Sequence, residues 1–198
     1  MEVDRDLARA LRVRFDEGKL SLHEADVLEF DFSVLGPRFR AVGNLPYNIS
    51  TPFLFHLGTF ADQLIDGTFM LQKEVVDRMV AAPDSAAYGR LSVMLQYRFE
   101  MKRMFDVPPG AFTPPPKVDS AIVRMVPLPA SRLRAVNEER FAHFVSAGFG
   151  QRRKTLGNTL KPFISADVIA SLGIDPKRRA ETLSVAEFVT LADYAVIK

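Results

Sequence analysis

The chain has no cysteine in 198 residues, which excludes a disulfide framework, a thiolate metal site and a cysteine nucleophile. Its three histidines, His23, His56 and His143, are scattered and form no recognisable ligand spacing. Each reads as a surface or packing residue, and no metal is expected. No apolar run is long enough to cross a membrane, and the start Met-Glu-Val-Asp-Arg-Asp is too charged for a secretory signal. The expectation is a cytoplasmic protein without a membrane partner. There is no internal repeat and no low-complexity tract.

What is present is ample apolar content, 47% of residues, in a chain of 22.2 kDa, enough for one domain with a smaller appendage. The net charge of +2 conceals an asymmetry. Residues 1–97 carry 10 Lys+Arg against 14 Asp+Glu, whereas residues 98–134 carry 7 against 3 and residues 135–198 carry 9 against 7. The sharpest cluster is Gln151-Arg152-Arg153-Lys154. Segregated positive charge suits a polyanion, most simply nucleic acid, although a solvated face would look the same.

Hydrophobic spacing divides the chain at a proline-bearing basic stretch, residues 127–134. Before it, over residues 1–130, short apolar runs alternate with helical spacing, the pattern of an α/β domain with a largely parallel sheet. Residues 7–15 have helical spacing, with Leu7, Leu11 and Phe15 on one face. Strands are expected at 20–23, 40–43, 67–72 and 120–126, an extended segment at 98–105, and helices at 73–81 and 91–97. After it, over residues 135–198, the pattern is purely helical. Asn137 can cap a helix to about residue 149, a second helix is expected over 151–160, and a third over 165–172. Ser184-Val185-Ala186-Glu187 reads as a capping box that opens the last one.

The most informative motif is Asn44-Leu45-Pro46-Tyr47, at the end of the strand expected at 40–43. Asn44 offers a carbonyl acceptor and an amide donor, Pro46 stiffens the turn, and Tyr47 supplies a face on which a base out of its stack can lie. Taken alone it is also an ordinary turn. Open α/β sheets bind ligands at the carboxyl ends of their strands. Glu2 (or Asp4), Asp26 and Asn44 are expected at three such ends. A carboxylate there can take ribose hydroxyls, and one strand further on it can take an adenine amine.

Four segments in order resemble the KsgA-type rRNA adenine dimethyltransferases. They are Asn44-Leu45-Pro46-Tyr47-Asn48-Ile49-Ser50, Tyr88-Gly89-Arg90-Leu91-Ser92-Val93, the run from Phe112-Thr113-Pro114 through Lys117-Val118-Asp119-Ser120, and Gln151-Arg152-Arg153-Lys154-Thr155. Leu172-Gly173-Ile174-Asp175 also fits. The erythromycin-resistance methyltransferases share the Asn-Pro-Tyr logic, but the Gln-Arg-Arg-Lys-Thr segment favours the first family.

The resemblance implies a Rossmann-like methyltransferase sheet with a small C-terminal helical domain, and S-adenosylmethionine as donor. It implies two adjacent adenosines near the 3′ end of small-subunit rRNA as acceptors, each converted to N6,N6-dimethyladenosine, with a role in small-subunit assembly. Glu2 would hold the cofactor ribose and Asp26 its adenine. Asn44 and the Leu45 carbonyl would hold the target amine in the Pro46 turn, with Tyr47 stacking on the base. Phe112 either closes the base's other face or anchors its loop in the core. Gln151, Arg152, Arg153 and Lys154 would contact rRNA, with Arg90 and Lys117 adding to them. A monomer is expected, acting on the pre-30S particle.

The family also implies a first strand and a glycine-rich loop ahead of Glu2, whereas Gly36, Gly43, Gly58 and Gly67 stand isolated. The expectation is therefore an N-terminally truncated, incomplete sheet that binds S-adenosylmethionine poorly. The competing reading is a non-catalytic rRNA-binding assembly factor. A DNA adenine methyltransferase and a mitochondrial transcription factor of the same family rank lower, because the chain shows neither a base-reading module nor a targeting segment.

Overall fold

Asp4 opens the first helix, α1 (Arg5–Arg14), its carboxylate accepting from the backbone N–H groups of Asp6 at 2.8 Å and Leu7 at 3.0 Å. The computed structural model describes residues 1–129, 132, 135–151 and 153–194. The apolar face expected on α1 reaches no core: Leu7 is 56% and Phe15 41% exposed, and Ala8 is the residue it buries. An ion pair between Arg12 and Glu24 ties the helix to the following segment. No strand forms at 20–23. A single parallel bridge joins Glu2 to Glu24, with the Glu2 N–H donating to the His23 carbonyl at 3.0 Å. The chain on the Glu2 side turns into the Asp4 cap within two residues, which leaves no length for a ladder.

The sheet comprises β1 (Phe39–Asn44), β2 (Leu64–Gln72), β3 (Phe99–Val107) and β4 (Ser120–Pro127). Their order is β1-β2-β4-β3. Within it only β1 and β2 run parallel, so the expected largely parallel sheet is in fact mixed. β4 lies antiparallel between β2 and β3, because the chain returns from β3 through a loop rather than the crossover that a parallel neighbour requires.

Three helices cover one face: α2 (Ser50–Gly58), α3 (Lys73–Met79) and α4 (Arg90–Gln96). Phe69, Leu71, Val123 and Met125 of the sheet meet Phe53, Leu54, Val76 and Leu95 in one buried cluster. α2 has no counterpart among the sequence expectations. Its opening Ser-Thr-Pro reads as a turn, yet Pro52 falls in the first helical turn, where no intrahelical N–H bond is needed.

The second core lies among α5 (Glu138–Gly150), α6 (Leu156–Thr159), α7 (Ala166–Ser171) and α8 (Val185–Tyr194). Phe141, Phe144, Leu156, Ile169, Phe188 and Leu191 fill it. Asn137 caps α5 through the Arg140 N–H at 2.8 Å, and Ser184 and Glu187 form the expected reciprocal box at the start of α8. α4 serves both cores. Leu91 and Leu95 face the sheet cluster, while Val93 and the adjoining Tyr97 enter the helical one, where Tyr97 stacks on Phe141 at 4.3 Å.

The helix expected over 151–160 shrinks to α6. Gln151 ends α5 in a non-helical conformation, and the Lys154 N–H returns to the Gln151 carbonyl at 2.9 Å in a tight turn. Leu156 and Gly157 then donate to the carbonyls of Arg178 and Pro176 at 2.8 and 2.9 Å. Gly157 lies against this segment, where a Cβ would make an ordinary van der Waals contact, 3.4 Å, with the Pro176 carbonyl oxygen.

Candidate active site and basic surface

Asn44 is the last residue of β1 and is exposed. The turn after it is pinned at three points. Leu45 donates its N–H to the Met70 carbonyl at 3.2 Å and buries its side chain in the sheet core. The Pro46 carbonyl accepts from the Ser50 hydroxyl at 3.0 Å and from the Ile49 N–H at 3.1 Å. The Tyr47 hydroxyl is hydrogen-bonded to the buried Ser120 hydroxyl at 2.9 Å. β1, β2, α2 and β4 thus all fix the geometry around Asn44, while the Tyr47 ring stays 36% exposed.

Asn44, Leu45 and Pro46 line a cavity of about 470 Å³ together with the rest of β1 and with Met1, Glu2, Val3, Ala25 and Val27. The structure therefore brings Glu2 and Asn44 to the same cavity. One Glu2 carboxylate oxygen, Oε1, accepts from the Val3 and Asp4 N–H groups at 2.9 and 3.0 Å. Asp4 is committed to its helix cap. Asp26 is not among the residues lining this cavity. Its Oδ1 accepts from the Leu28 N–H at 2.8 Å, and it lines an adjoining depression whose shared wall is Ala25.

Phe112 is half-buried at the end of a short 3-10 turn, Pro109–Ala111, and does not line the cavity either. Lys117 is exposed beside a separate depression formed with Gln72, Lys73, Glu74, Asp77 and Asp119. Acidic groups crowd that depression. Lys73 pairs with Asp77 at 3.2 Å, and Arg103 pairs with Asp77 at 2.8 Å and with Asp106. Hydrogen bonds from Arg103 hold the Asp106 carboxyl below its usual range, the more so with its positive charge close by. Arg90 opens α4 and is exposed.

Gln151, Arg153 and Lys154 are exposed in the turn between α5 and α6, not along a helix face; Arg152 lies outside the described residues. The backbone pairing of residues 156–157 with 176–178 brings a second basic run to this turn. Lys177 and Arg179 are exposed there, whereas Arg178 turns inward to the Thr182 carbonyl at 2.6 Å and to Glu187. The Lys-Arg-Arg run at 177–179 is visible in sequence, but its proximity to residues 153–154 depends on that pairing.

A family model described as ribosomal RNA adenine dimethylase matches residues 1–196. The chain is 58% identical over 198 residues to ribosomal RNA small subunit methyltransferase A of Aromatoleum aromaticum, covering all of this chain and 75% of that protein. It is 56% identical to the protein of the same name from Nitrosospira multiformis, covering 98% of this chain and again 75% of the relative. Among solved structures, a dimethyladenosine transferase from Plasmodium falciparum superposes with a TM-score of 0.79 at 24% identity, over 96% of this chain and 78% of that one. The 23S rRNA methyltransferase ErmE superposes with a TM-score of 0.71 at 23% identity, over 97% and 79%. These two likenesses establish the Rossmann-like methyltransferase fold.

Proposed function

The chain belongs to the ribosomal RNA adenine dimethylase family, and from that premise we propose that it dimethylates the N6 amines of two adjacent adenosines near the 3′ end of small-subunit rRNA. The pre-30S particle is its substrate, in the cytoplasm. The observation that carries this reading is the triply pinned turn that leaves Asn44 exposed at the end of β1, beside the cavity shared with Glu2.

The family's methyl donor is S-adenosylmethionine, which when bound supplies a methyl group activated by its sulfonium. The residues lining this cavity fit such a group. A cavity of about 470 Å³ is within the size range of small-molecule sites. It offers the Glu2 carboxylate for ribose hydroxyls and the apolar Val27 and Leu35 beside it. Asp26, which lines the depression adjoining this cavity at Ala25, is assigned to the cofactor adenine.

The chain's own residues supply the rest. An exocyclic adenine amine is a poor nucleophile because its lone pair is delocalised into the ring. The Asn44 side-chain carbonyl and the Leu45 backbone carbonyl can each accept a hydrogen bond from one amine N–H, which favours the tetrahedral nitrogen of the transition state, and the extra proton on the methylated nitrogen leaves to solvent. Tyr47 gives the flipped base a face to lie on, and its tether to Ser120 fixes where that face is. Positioning provides much of the remaining acceleration. Arg153 and Lys154, with Lys177 and Arg179 beside them, engage rRNA phosphates. Arg90 and Lys117 are further cations on the sheet side. Phe112 is assigned to holding its own loop.

Methyl transfer from labelled S-adenosylmethionine to undermethylated small-subunit particles, with nucleosides read by mass spectrometry, tests the assignment. Dimethyladenosine is the expected product. Asn44→Ala is expected to lower its formation by on the order of 10²-fold or more while particle binding is unchanged. Equal product from the variant would remove Asn44 from the chemistry. Particle binding without any product from the wild type would favour the non-catalytic assembly-factor reading.

A further inference from the structure

His56 reads in the sequence as a surface or packing residue, but the structure gives it a directional bond. It lies in the last turn of α2, half-buried, with its Nε2 2.8 Å from the Phe30 carbonyl oxygen. A carbonyl oxygen only accepts, so Nε2 carries the hydrogen and donates it. Two rings hold the imidazole in place. Phe60 meets it edge-on with centroids 5.3 Å apart, and Phe32 lies tilted against it at 5.7 Å.

The segment that receives this bond has little else to fix it. Residues 25–36 contain no strand, and their one helical piece is a 3-10 turn over Phe32–Leu35. Their other hydrogen bonds, among the described residues, are local. The Leu28 N–H donates to Asp26 Oδ1 at 2.8 Å, the Glu29 N–H to the Asp26 carbonyl at 3.1 Å, and the Ser33 N–H to Asp31 Oδ1 at 2.9 Å. Buried Phe30 and Phe32 hold the segment on the sheet lobe, but apolar contacts are non-directional and set no register. The bond from His56 is directional, and it acts four residues after Asp26. Phe30 and Asp26 line the same depression.

We propose that His56 is a positioning residue: through the Phe30 carbonyl it fixes the turn that presents Asp26 to the adenine of the cofactor. Oδ1 of Asp26 is taken by the Leu28 N–H, and Oδ2 is the oxygen left to accept from an exocyclic amine. α2 then serves both sides of the reaction. At its start the Ser50 hydroxyl holds the Pro46 carbonyl of the Asn44 turn at 3.0 Å. Six residues on, about 9 Å along the axis, His56 holds the Asp26 segment. One helix thereby sets the spacing between the donor's adenine and the acceptor's amine. The ligand in this proposal rests on the function proposed above; the tether itself does not.

The test compares His56→Phe, which keeps a ring and loses the donor, with His56→Gln, whose side-chain N–H can reach the same carbonyl. Hydrogen–deuterium exchange reads the Asp26 turn without any ligand. Calorimetry then compares S-adenosylhomocysteine with its deaminated analogue S-inosylhomocysteine, which carries a carbonyl where adenine carries its amine. A fixed carboxylate accepts from the amine and repels the carbonyl. The wild type should prefer the adenosyl compound by about tenfold or more, the range of a hydrogen bond to a charged group. In His56→Phe, exchange at Leu28 and Glu29 should quicken by about tenfold or more through local opening, with β3 unchanged. The preference should fall toward parity. His56→Gln should restore both.

Exchange at Leu28 and Glu29 as slow in His56→Phe as in the wild type would overturn the tether. Faster exchange with the preference intact would overturn the positioning role. So would a preference lost equally in His56→Phe and His56→Gln, which would make packing of the imidazole the requirement. Exchange restored by Gln, while none of the three proteins binds either nucleoside, would count against the cofactor reading itself and leave His56 with nothing to position.

Discussion

Tyr47 has the two properties the proposed site asks of it: its ring is 36% exposed, and its hydroxyl fixes the ring through the 2.9 Å bond to Ser120, a residue 1% exposed at the start of β4. Phenylalanine keeps the face and loses the tether, worth roughly 0.5–1.5 kcal/mol as a typical net hydrogen bond. Alanine loses the face as well, and base–aromatic stacking is worth about 1–3 kcal/mol. Tyr47→Phe is therefore expected to reduce methyl transfer by severalfold and Tyr47→Ala by about tenfold to a hundredfold, each with stability lowered by roughly 0.5–1.5 kcal/mol for the lost hydrogen bond. Steady-state kinetics on undermethylated particles would check the order, and equal rates for the two variants would remove stacking from the account. The exposed turn at Asn44 and Tyr47 was legible as a turn in sequence, but its tethers to Met70 and Ser120 were not, and neither was which of Glu2, Asp26 and Phe112 line the cavity beside it, because both depend on how distant segments pack.

At the scale of elements, the instructive case is the segment from Gln151 to Thr155. Its composition reads as a basic helix, but among the described residues Gln151 is non-helical and Leu156 and Gly157 pair with the chain at Arg178 and Pro176. Such long-range backbone bonds leave no trace in local periodicity, whereas the caps at Asn137 and Ser184 do and were readable. The strand expected at 20–23 failed for a related reason, since apolar residues make a strand only where a neighbour supplies the ladder. α2 was missed because its Ser-Thr-Pro opening carries turn chemistry into a helix start. Four exposed cations flank this backbone pairing, Arg153 and Lys154 from one segment, Lys177 and Arg179 from the other. Replacing Arg153 and Lys154 together by Ala should weaken particle binding and lower the slope of log affinity against log salt by roughly 0.7–0.9 for each phosphate that is no longer neutralised. Filter binding over a salt series would show it. An unchanged slope would place the rRNA interface on another face.

The molecule as a whole depends on α4, which lends residues to both cores, and the junction beside it gives stability a particular pH dependence. Tyr88, just ahead of α4, is 3% exposed and donates its hydroxyl to the Leu183 carbonyl at 2.8 Å, joining the sheet lobe to the approach of α8. Burial, reinforced by the negative charge of Glu187, pushes its phenol up to about 12 from a usual value of 10. The folded state therefore keeps this proton over a range in which the unfolded chain gives it up. The resulting stabilisation is complete below pH 10 and is lost as pH rises from there through about 12. Glu187 works at the other limb. Burial raises its pKa, but hydrogen bonds from Arg178 and Ser184 outweigh that and leave it lowered, so its contribution holds above the ordinary glutamate value and fades as pH falls through the lowered one. Urea midpoints measured from pH 8 to 11 should fall on the alkaline side for the wild type. Tyr88→Phe should start lower by about 1 kcal/mol for the missing hydrogen bond yet decline less steeply. Parallel curves for the two proteins would mean that another group sets the alkaline limit and that the Tyr88 junction is not where the lobes come apart.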